Sequence, residues 1–425
     1  MGSLQKLPIF LNRIVMKKII LFLLFTTYSF AQYTGTASVT QGLATNITTA
    51  NLYSTCSVGS RVSAVATITA TDNTTWTVPA MTNYTNASFP FASDLHNACN
   101  GNNYATSTAA LSALNGSDIV TIDATGEVIT AYIFADNYFE MYINGIAVGK
   151  DKVPFTEFNS SIVRFKVNRP FTIAMLLVDW EERMGVGAET NGGFSYHCGD
   201  GGIVGVFKDA SNNIIAKTDA SWKAQTFYTA PIMNLTCPSE SGTSRLSANC
   251  STVDSNAGTN YYGLHWARPA SWIAANFDDS SWPIATTYSN AVIGVNNKPS
   301  YTNFTNIFDD SSNDAEFIWS TNVILDNEVI VRKKVLSNLT TNKNEFIESK
   351  IKLYPNPAKN EIHLDIDATI QNQIQKTEIY NLLGELVFSS DRLMQTIDLQ
   401  NFASGIYIIK ICASEFEISK KLIVE

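Results

Sequence analysis

The chain has 425 residues, of which 45% are hydrophobic, 11% aromatic and 16% charged, and its formal net charge at pH 7 is -9. This length allows two or three domains with cores of their own. The acidic balance argues against a nucleic-acid partner, which would require clusters of Lys and Arg, so we expect no nucleic-acid binding.

The chain begins with the pattern of a signal peptide over residues 1–31. Residues 16–18 supply a basic start, residues 19–25 an apolar run, and residues 29–31 a small-x-small cleavage site. We therefore take Met16 as the true start and expect the mature chain to begin at Gln32. No later segment has about 18 consecutive apolar residues, and the sequence predicts no transmembrane segment.

Strand patterns dominate the next 300 residues. Residues 32–118 are rich in Thr, Ser, Asn and Ala, and predict either a separate β-rich domain or the opening strands of the sandwich that follows. In residues 119–335, β-branched and aromatic residues form nearly continuous runs, as in strands inside a sandwich core. Asn144-Gly145 predicts a hairpin turn, and residues 209–213 predict a second one. The strongest predicted strands are 128–134, 138–143, 162–167 and 171–178.

The last quarter of the chain predicts a linker and a second small sandwich. Residues 336–349 are polar and lack apolar periodicity, which is typical of a linker. Residues 350–425 are dense in short strands, with turns around Gly384 and Gly405.

Six cysteines are spread over the chain, and export would allow them to form disulfides. Cys237 and Cys250, across a Ser/Gly-rich loop, predict a local bond, and Cys56 with Cys99 is the next most natural pair. Cys198 has no assigned partner. Because no C-x-x-C pair is present and His is scarce, we do not expect a structural zinc site.

The final segment resembles the C-terminal sorting domain of proteins exported by the type IX secretion system. The resemblance is carried by residues 353–358 (LYPNPA), residues 379–381 (IYN) before Gly384, residues 404–407 (SGIY) and the basic finish 420–424 (KKLIV). It covers residues 350–425. It implies a small Ig-like β-sandwich recognised by the secretion machinery, passage across the outer membrane, and either release or attachment at the cell surface.

Residues 119–335 resemble the galactose-binding-like jelly roll, a sugar-binding or accessory module of many glycoside hydrolases. The resemblance is carried by residues 134–145 (FADNYFEMYING), 218–223 (TDASWK), 277–282 (FDDSSW) and 329–333 (VIVRK). It implies a jelly-roll β-sandwich, so the predicted fold class is all-β throughout. The hydrolases carry a large catalytic domain after this module. Here the sorting segment follows almost at once, and we therefore expect no separate catalytic domain.

Tryptophans are the first candidates for a sugar-binding surface, because exposed aromatic faces stack on the C–H groups of sugars. Trp180, Trp266 and Trp272 lie beside charged or loop residues and are the freer candidates, with Trp180 first. Trp222 and Trp282 are expected to be structural. The alternative for the whole set is packing in the core.

Carboxylates supply the remaining candidates. Residues 179–189 follow an apolar strand and predict a loop at the sandwich rim, where Glu181, Glu182 and Glu189 would bind sugar hydroxyls or a calcium ion. The alternative is a solvated turn with a local ion pair at Arg183. Further along the chain, Asp278 and Asp279 are candidate calcium ligands, although turn-forming Asp side chains explain them as well.

These patterns favour a secreted or surface-anchored protein that binds carbohydrate or mediates adhesion without catalysis. Its partners would be a glycan and, through the C-terminal domain, the type IX secretion machinery. One alternative is a small secreted glycan hydrolase or lyase in which Glu181, Glu182 or Glu189 acts as acid or base. Another is a structural surface protein with no small ligand.

Overall fold

The structure, a computed structural model, describes residues 33–56, 61–155, 159–254, 258, 260–311, 314–336, 350–413 and 417–425. The predicted signal peptide and nearly all of the predicted linker lie outside the described residues. The chain divides into two compact units, Met1–Lys334 and Val335–Glu425.

The first unit is built almost entirely of strands. In chain order they are β1 Ser38–Gln41, β2 Asn46–Thr49, β3 Val65–Thr69, β4 Thr75–Val78, β5 Ser93–Asn97, β6 Asn102–Asn103, β7 Ile119–Thr121, β8 Glu127–Asp136, β9 Tyr138–Ile143, β10 Ile146–Lys150, β11 Ser160–Val167 and β12 Phe171–Val178. They continue as β13 Ala188–Asn191, β14 Phe194–Cys198, β15 Gly202–Lys208, β16 Ile214–Lys217, β17 Lys223–Ile232, β18 Ser239–Ser241, β19 Ser244–Leu246, β20 Tyr262–His265, β21 Thr286–Tyr288, β22 Phe317–Trp319 and β23 Asp326–Val335.

Helices in this unit are short and connect strands. Four are α-helices and two are 3-10 turns among the described residues: Ser107–Ser112, Asn290–Ile293, Pro299–Thr302 and Thr305–Phe308, with Gly116–Asp118 and Val295–Asn297. Every helix in the described parts of the chain falls short of what a membrane span would need in length and apolarity.

Two large sheets form the sandwich. The seven-stranded sheet has the order β1-β20-β17-β23-β12-β9-β10, and the path through the nine-stranded sheet is β21-β22-β15-β8-β11-β5-β6, with β16 beside β15 and β7 beside β11. β1 pairs with β20, and β5 pairs with β11. Strands from residues 32–118 therefore lie in the same sheets as strands from residues 119–335.

The centre of the seven-stranded sheet is buried on both faces. Every residue of β9 and of β12 is buried, although successive side chains of a strand point to opposite faces. One face packs Tyr138, Tyr142 and Leu176 into a cluster with residues of the long loops. A strand buried on both sides needs an apolar run rather than alternation, which explains the sequence FTIAMLLV of β12.

Several sequence predictions are confirmed. The fold is all-β, and the predicted strands 138–143 and 171–178 coincide with β9 and β12. Asn144 and Gly145 join β9 to β10 with φ of 50° and 86°, the left-handed values that a tight hairpin turn needs. β15 and β16 form the second predicted hairpin. Both predicted disulfides are present, Cys56–Cys99 and Cys237–Cys250, and Cys198 is a buried thiol.

The second unit is a small β-sandwich of its own. Its strands are β24 Ile351–Tyr354, β25 Glu361–Ile366, β26 Ile374–Asn381, β27 Leu386–Ser390, β28 Thr396–Asp398, β29 Gly405–Ala413 and β30 Glu417–Val424, with one helical turn at Ala368–Gln371. They form a three-stranded sheet, β24-β25-β28, and a four-stranded sheet, β27-β26-β29-β30. Ile362, Ile379 and Ile409 are among the fully buried residues of its core. Gly384 turns the chain between β26 and β27 with a φ of 83°.

Candidate ligand-binding pocket

A pocket of about 390 Å³ lies at one end of the first sandwich. Among the described residues its polar lining contains four carboxyl groups, two cationic side chains and two amides, and we call it the acidic pocket. The members are Asp136, Asp179, Glu189, Asp200, Arg61, Lys298, Asn137 and Asn191. Its volume falls in the range of roughly 300–1,000 Å³ that is usual for small-molecule sites in proteins.

Strand ends bring the carboxyl groups together. Asp136 is the last residue of β8, in the nine-stranded sheet, and Asp179 follows the last residue of β12, in the seven-stranded sheet. Glu189 lies on β13, and Asp200 lies between β14 and β15. Asp136 pairs with Gly202 at the start of β15, which places Asp200 at the same end of the sandwich. Both sheets therefore contribute carboxyl groups to one site.

Asp136 and Asp200 influence each other's protonation. Asp136 is only 3% exposed. The pKa of Asp136 is raised well above its usual value. Burial is the largest cause, and the negative charge of Asp200 is the next. Burial and the charge of Glu189 raise the pKa of Asp200 to about 6. Raised pKa values follow from the placement of several carboxyl groups where little water reaches them.

Asp179 is the most isolated of the four. Its side chain is 4% exposed, and no donor among the described residues hydrogen-bonds to its carboxyl oxygens. A Cβ atom on Gly199 would lie 2.9 Å from Asp179 Oδ2, so only glycine lets the backbone approach this closely. Burial and the negative charge of Asp136 raise the pKa of Asp179 well above its usual value. Such a group is costly to bury unless something binds to it.

Two cationic side chains balance part of this charge. Arg61 forms an ion pair with Glu189, and its guanidinium lies 5.4 Å from the centre of the Phe155 ring. Burial raises the pKa of Glu189 despite the opposing effect of Arg61. The positive charge of Lys298 lowers the pKa values of Asp136 and Asp200 but does not offset the effect of burial.

The expectation that three tryptophans are exposed is wrong. Trp180, Trp266 and Trp272 are 1%, 6% and 8% exposed, because the loops outside the seven-stranded sheet cover that face. Trp180 Nε1 donates to the Ala64 carbonyl at 3.1 Å, and Trp266 Nε1 donates to Glu240 Oε1 at 3.0 Å. Trp272 packs edge-on against Tyr142. These rings therefore hold loops onto the sheet.

The structural role expected for two further tryptophans agrees with their burial. Trp222 is fully buried and its Nε1 donates to the Lys217 carbonyl at 2.7 Å. Trp282 is 8% exposed and packs edge-on against Phe227.

The three predicted glutamates have separate environments. Glu181 is 1% exposed and accepts hydrogen bonds from the backbone N–H groups of Gly185 and Gly187. Burial raises the pKa of Glu181 to about 7, although these hydrogen bonds oppose it. Glu182 accepts from the Thr190 backbone N–H at 2.6 Å. Of the three, Glu189 lines the acidic pocket.

Arg183 does not form the local ion pair considered from the sequence. Its Nε donates to the Ser195 carbonyl at 2.9 Å, and its guanidinium lies over the Tyr196 ring.

The predicted calcium ligands Asp278 and Asp279 lie in a turn and have different partners. Asp278 Oδ1 accepts from the Ser280 backbone N–H at 3.0 Å, whereas Asp279 Oδ2 forms an ion pair with Arg332 Nε at 2.7 Å. No group of three or more His, Cys, Asp or Glu within the described part of the chain is arranged to hold a metal ion.

Of the six charged residues that line the pocket, sequence reasoning named only Glu189 as a candidate. It missed the other five, which are Arg61, Asp136, Asp179, Asp200 and Lys298. For two of them a signal was present. Asp136 and Asp179 each end a long apolar run, in YIFAD and in AMLLVD, and an acidic residue at that point lies at the rim of a sandwich. No comparable signal marks the other three residues.

Comparison with known proteins identifies the C-terminal unit. Residues 352–425 match the family described as the secretion system C-terminal sorting domain. This match implies an interaction with the type IX secretion machinery, and it indicates that the protein is exported and either released or attached to the cell surface. No curated protein matches the sequence.

Two solved structures from Porphyromonas gingivalis show weak similarity. One is PorZ, described as an essential bacterial surface component of the type IX secretion system, with 14% identity over 26% of this chain, 15% of that chain and a TM-score of 0.16. The other is dimeric latent PorU, with 11% identity over 92% of this chain, 34% of that chain and a TM-score of 0.15. This chain therefore spans about a third or less of either protein, and these TM-scores are too low to indicate a shared fold.

Proposed function

We propose that this exported protein binds carbohydrate, as a lectin-like or adhesive protein of the cell surface, and that a sugar unit occupies the acidic pocket. The observation that carries the proposal is the lining of that pocket, in which carboxyl, amide and cationic groups converge from both sheets in a volume of about 390 Å³. Sugars present hydroxyl groups in many directions, and a site lined by such donors and acceptors can pair with them.

The sequence supports the same conclusion independently. The resemblance of residues 119–335 to the galactose-binding-like jelly roll implies a sugar-binding module, and the sorting domain delivers the protein to the place where glycans are met. The binding surface in this proposal differs from the one expected from tryptophans. It depends on polar groups at the sandwich end, because the tryptophan rings are covered.

A glycan array probed with the purified full chain tests the proposal. Asn191 is exposed and lines the pocket, so Asn191→Trp should block the mouth and abolish binding. Thr190 is also exposed but does not line the pocket, since neighbouring side chains of a strand point to opposite sides. Thr190→Trp is therefore the matched control and should bind as the unchanged protein does.

Each outcome of the array has a definite meaning. Selective binding that Asn191→Trp abolishes and Thr190→Trp preserves supports the proposal. An array that stays blank, with the protein shown to be folded, rejects it and favours a structural surface protein.

Repeating the array with calcium and with a chelator tests the calcium site considered at Asp278 and Asp279, and a chelator effect lost in Asp279→Asn would support it.

Glycan hydrolysis is a second candidate, favoured by the raised pKa values of Asp136 and Asp200 in one pocket. A general acid must hold its proton at working pH, which a raised pKa provides. Two of the three glutamates first considered for this role are less suited, since Glu181 is bound to the backbone and Glu182 does not line the pocket. Incubation with the glycans that bind, followed by chromatography, should show product that disappears in Asp200→Asn if hydrolysis occurs.

A further inference from the structure

We infer that the ligand of the acidic pocket carries a protonated amine, so that the sugar unit it binds is an amino sugar. The assignment of a sugar rests on the proposed function, whereas the requirement for a positive charge rests on the pocket itself. The argument uses the balance of charge, the surroundings of Asp179 and the arrangement of the possible ligands.

The acidic pocket has more carboxyl groups than cationic groups. Among the residues that the structure describes, four carboxyl groups, from Asp136, Asp179, Glu189 and Asp200, face two cations, Arg61 and Lys298. With all of them ionised, the lining carries a net charge of 2 - 4 = -2. Arg61 is engaged with Glu189 through an ion pair, and the charge of Lys298 acts on Asp136 and Asp200. Within the described part of the chain, the charges that act most on Asp179 are therefore those of other carboxyl groups and not of cations.

Among the four carboxyl groups, that of Asp179 has the least positive charge around it from the described residues. Its carboxyl group is 4% exposed, lines the pocket and receives no hydrogen bond from any residue that the structure describes. The largest effects of neighbouring charges on it come from other carboxyl groups, beginning with Asp136. A buried acceptor without a donor is unfavourable, and a cation placed against it would supply both a donor and a balancing charge.

An ammonium group fits this arrangement better than a metal ion does. Calcium requires six to eight oxygen ligands and magnesium a near-ideal octahedron. In the described residues, no cluster of three or more carboxylate, His or Cys side chains has an arrangement able to hold a metal ion. An ammonium group instead donates up to three hydrogen bonds and has no coordination shell to complete. An amine on a sugar ring would also leave the hydroxyl groups free to pair with Asn137 and Asn191.

Binding of an ammonium group should release protons. A carboxyl group that holds its proton in the empty pocket must ionise to pair with a cation, so affinity should fall as the pH is lowered from 7 to 5. The groups that act on Asp179 and its neighbours come from several elements and contribute together. They are Asp136 of β8, Glu181 and Glu182 between β12 and β13, Glu189 of β13, His197 of β14, Asp200, Arg61 and Lys298.

Isothermal titration calorimetry of the full chain at pH 7 tests the inference with three matched probes: glucosamine, N-acetylglucosamine and glucose. These share one ring and differ only at one position, where acetylation removes the charge. We expect glucosamine to bind at least about tenfold more tightly than the other two, as for other charge-assisted hydrogen bonds. Titration in two buffers of different ionisation enthalpy should show that protons are released.

Variants then locate the charge that is recognised. Asp179→Asn keeps the shape of the side chain and should remove the preference for glucosamine together with part of the proton release. Asp136→Asn provides a second variant should the first fail to fold. Asp278→Asn removes an exposed carboxylate outside the pocket and should change nothing.

The outcomes separate this inference from the proposed function. Equal affinity for glucosamine and glucose, or a preference that survives both pocket variants, overturns the requirement for an amine while leaving sugar binding intact. If the protein binds ethanolamine but none of the three sugars, both the assignment of an amino sugar and the proposed function are overturned. Displacement of glucosamine by calcium or magnesium ions alone would assign the site to a metal and also overturn the inference.

Discussion

Replacing Asp200 by Asn should stabilise the first sandwich at neutral pH. Burial and the charge of Glu189 raise the pKa of Asp200 from 3.8 to about 6 in the folded protein. The folded state therefore binds more protons than the unfolded state between these two pH values, and stability falls as the pH rises through that window. An Asn side chain has the same shape but no charge, so the variant does not incur this loss.

The size of the effect follows from the difference between the two pKa values. A difference of about two units at about 1.36 kcal/mol per unit corresponds to about 3 kcal/mol once both groups are ionised. For a unit of this size, a change of 1 kcal/mol shifts the melting temperature by about 2 °C, so Asp200→Asn should melt about 6 °C higher at pH 8. The difference should approach zero only as the pH falls below 3.8, where Asp200 is protonated in both the folded and the unfolded protein.

Tryptophan fluorescence is a suitable assay, because all seven tryptophans lie in the first unit. Asp209→Asn is the matched control of opposite sign. Although burial raises its pKa, hydrogen bonds from Asn213, Ser211 and Arg169 lower the pKa of Asp209 overall. That variant should be less stable than the unchanged protein at neutral pH, and the loss of stability should be smaller at pH 3. A melting temperature for Asp200→Asn that is equal to or below that of the unchanged protein at pH 8 would refute the reasoning, as would a difference that does not change with pH.

Two further predictions concern stability. Lys150 is fully buried, and its Nζ donates to the carbonyls of Asn83, Tyr84 and Asn86 at 2.8–2.9 Å. Lys150→Met should therefore lower the free energy of unfolding, measured by urea denaturation, by about 3 kcal/mol or more. Lys152→Met should cost much less, because the Lys152 side chain is 34% exposed and Asp94 keeps hydrogen bonds from three Asn side chains; equal losses would contradict the prediction. The Cys56–Cys99 bond closes a separation of 43 residues and the Cys237–Cys250 bond one of 13. Replacing the first pair by Ser should therefore cost about 4 kcal/mol and the second about 3 kcal/mol, and the reverse order would count against the loop-entropy argument.

The predictions for Asp179 and Asp200 together describe a site whose ligand-binding residues lower the stability of the folded protein. Asp179 and Asp200 are unfavourable in the empty pocket because ionising either one places a charge in a buried site close to other carboxyl groups. Substituting either one should therefore stabilise the protein, while ligand binding should require them. This opposition between stability and function is common where a site is prepared for a partner.

Local patterns in the sequence determined much of the architecture. The bounds of β9 and β12 could be predicted because strands buried on both faces need unbroken apolar runs, and the turn at Asn144-Gly145 because few residues adopt positive φ. The C-terminal unit was recognised from short motifs in a fixed order, and the family match over residues 352–425 agrees with it. All of these signals are contained in neighbouring residues.

The site itself was decided by tertiary packing. Arg61 meets Glu189 across 128 positions of sequence. Asp136, Asp179 and Asp200 approach one another only because β8 and β12 end, and β15 begins, at the same end of the sandwich. The exposure of Trp180 was mispredicted for the same reason, since a charged neighbour in the sequence says nothing about the loop that covers the ring. Burial and charge balance depend on residues distant in the chain, and for that reason only the folded structure identified the acidic pocket.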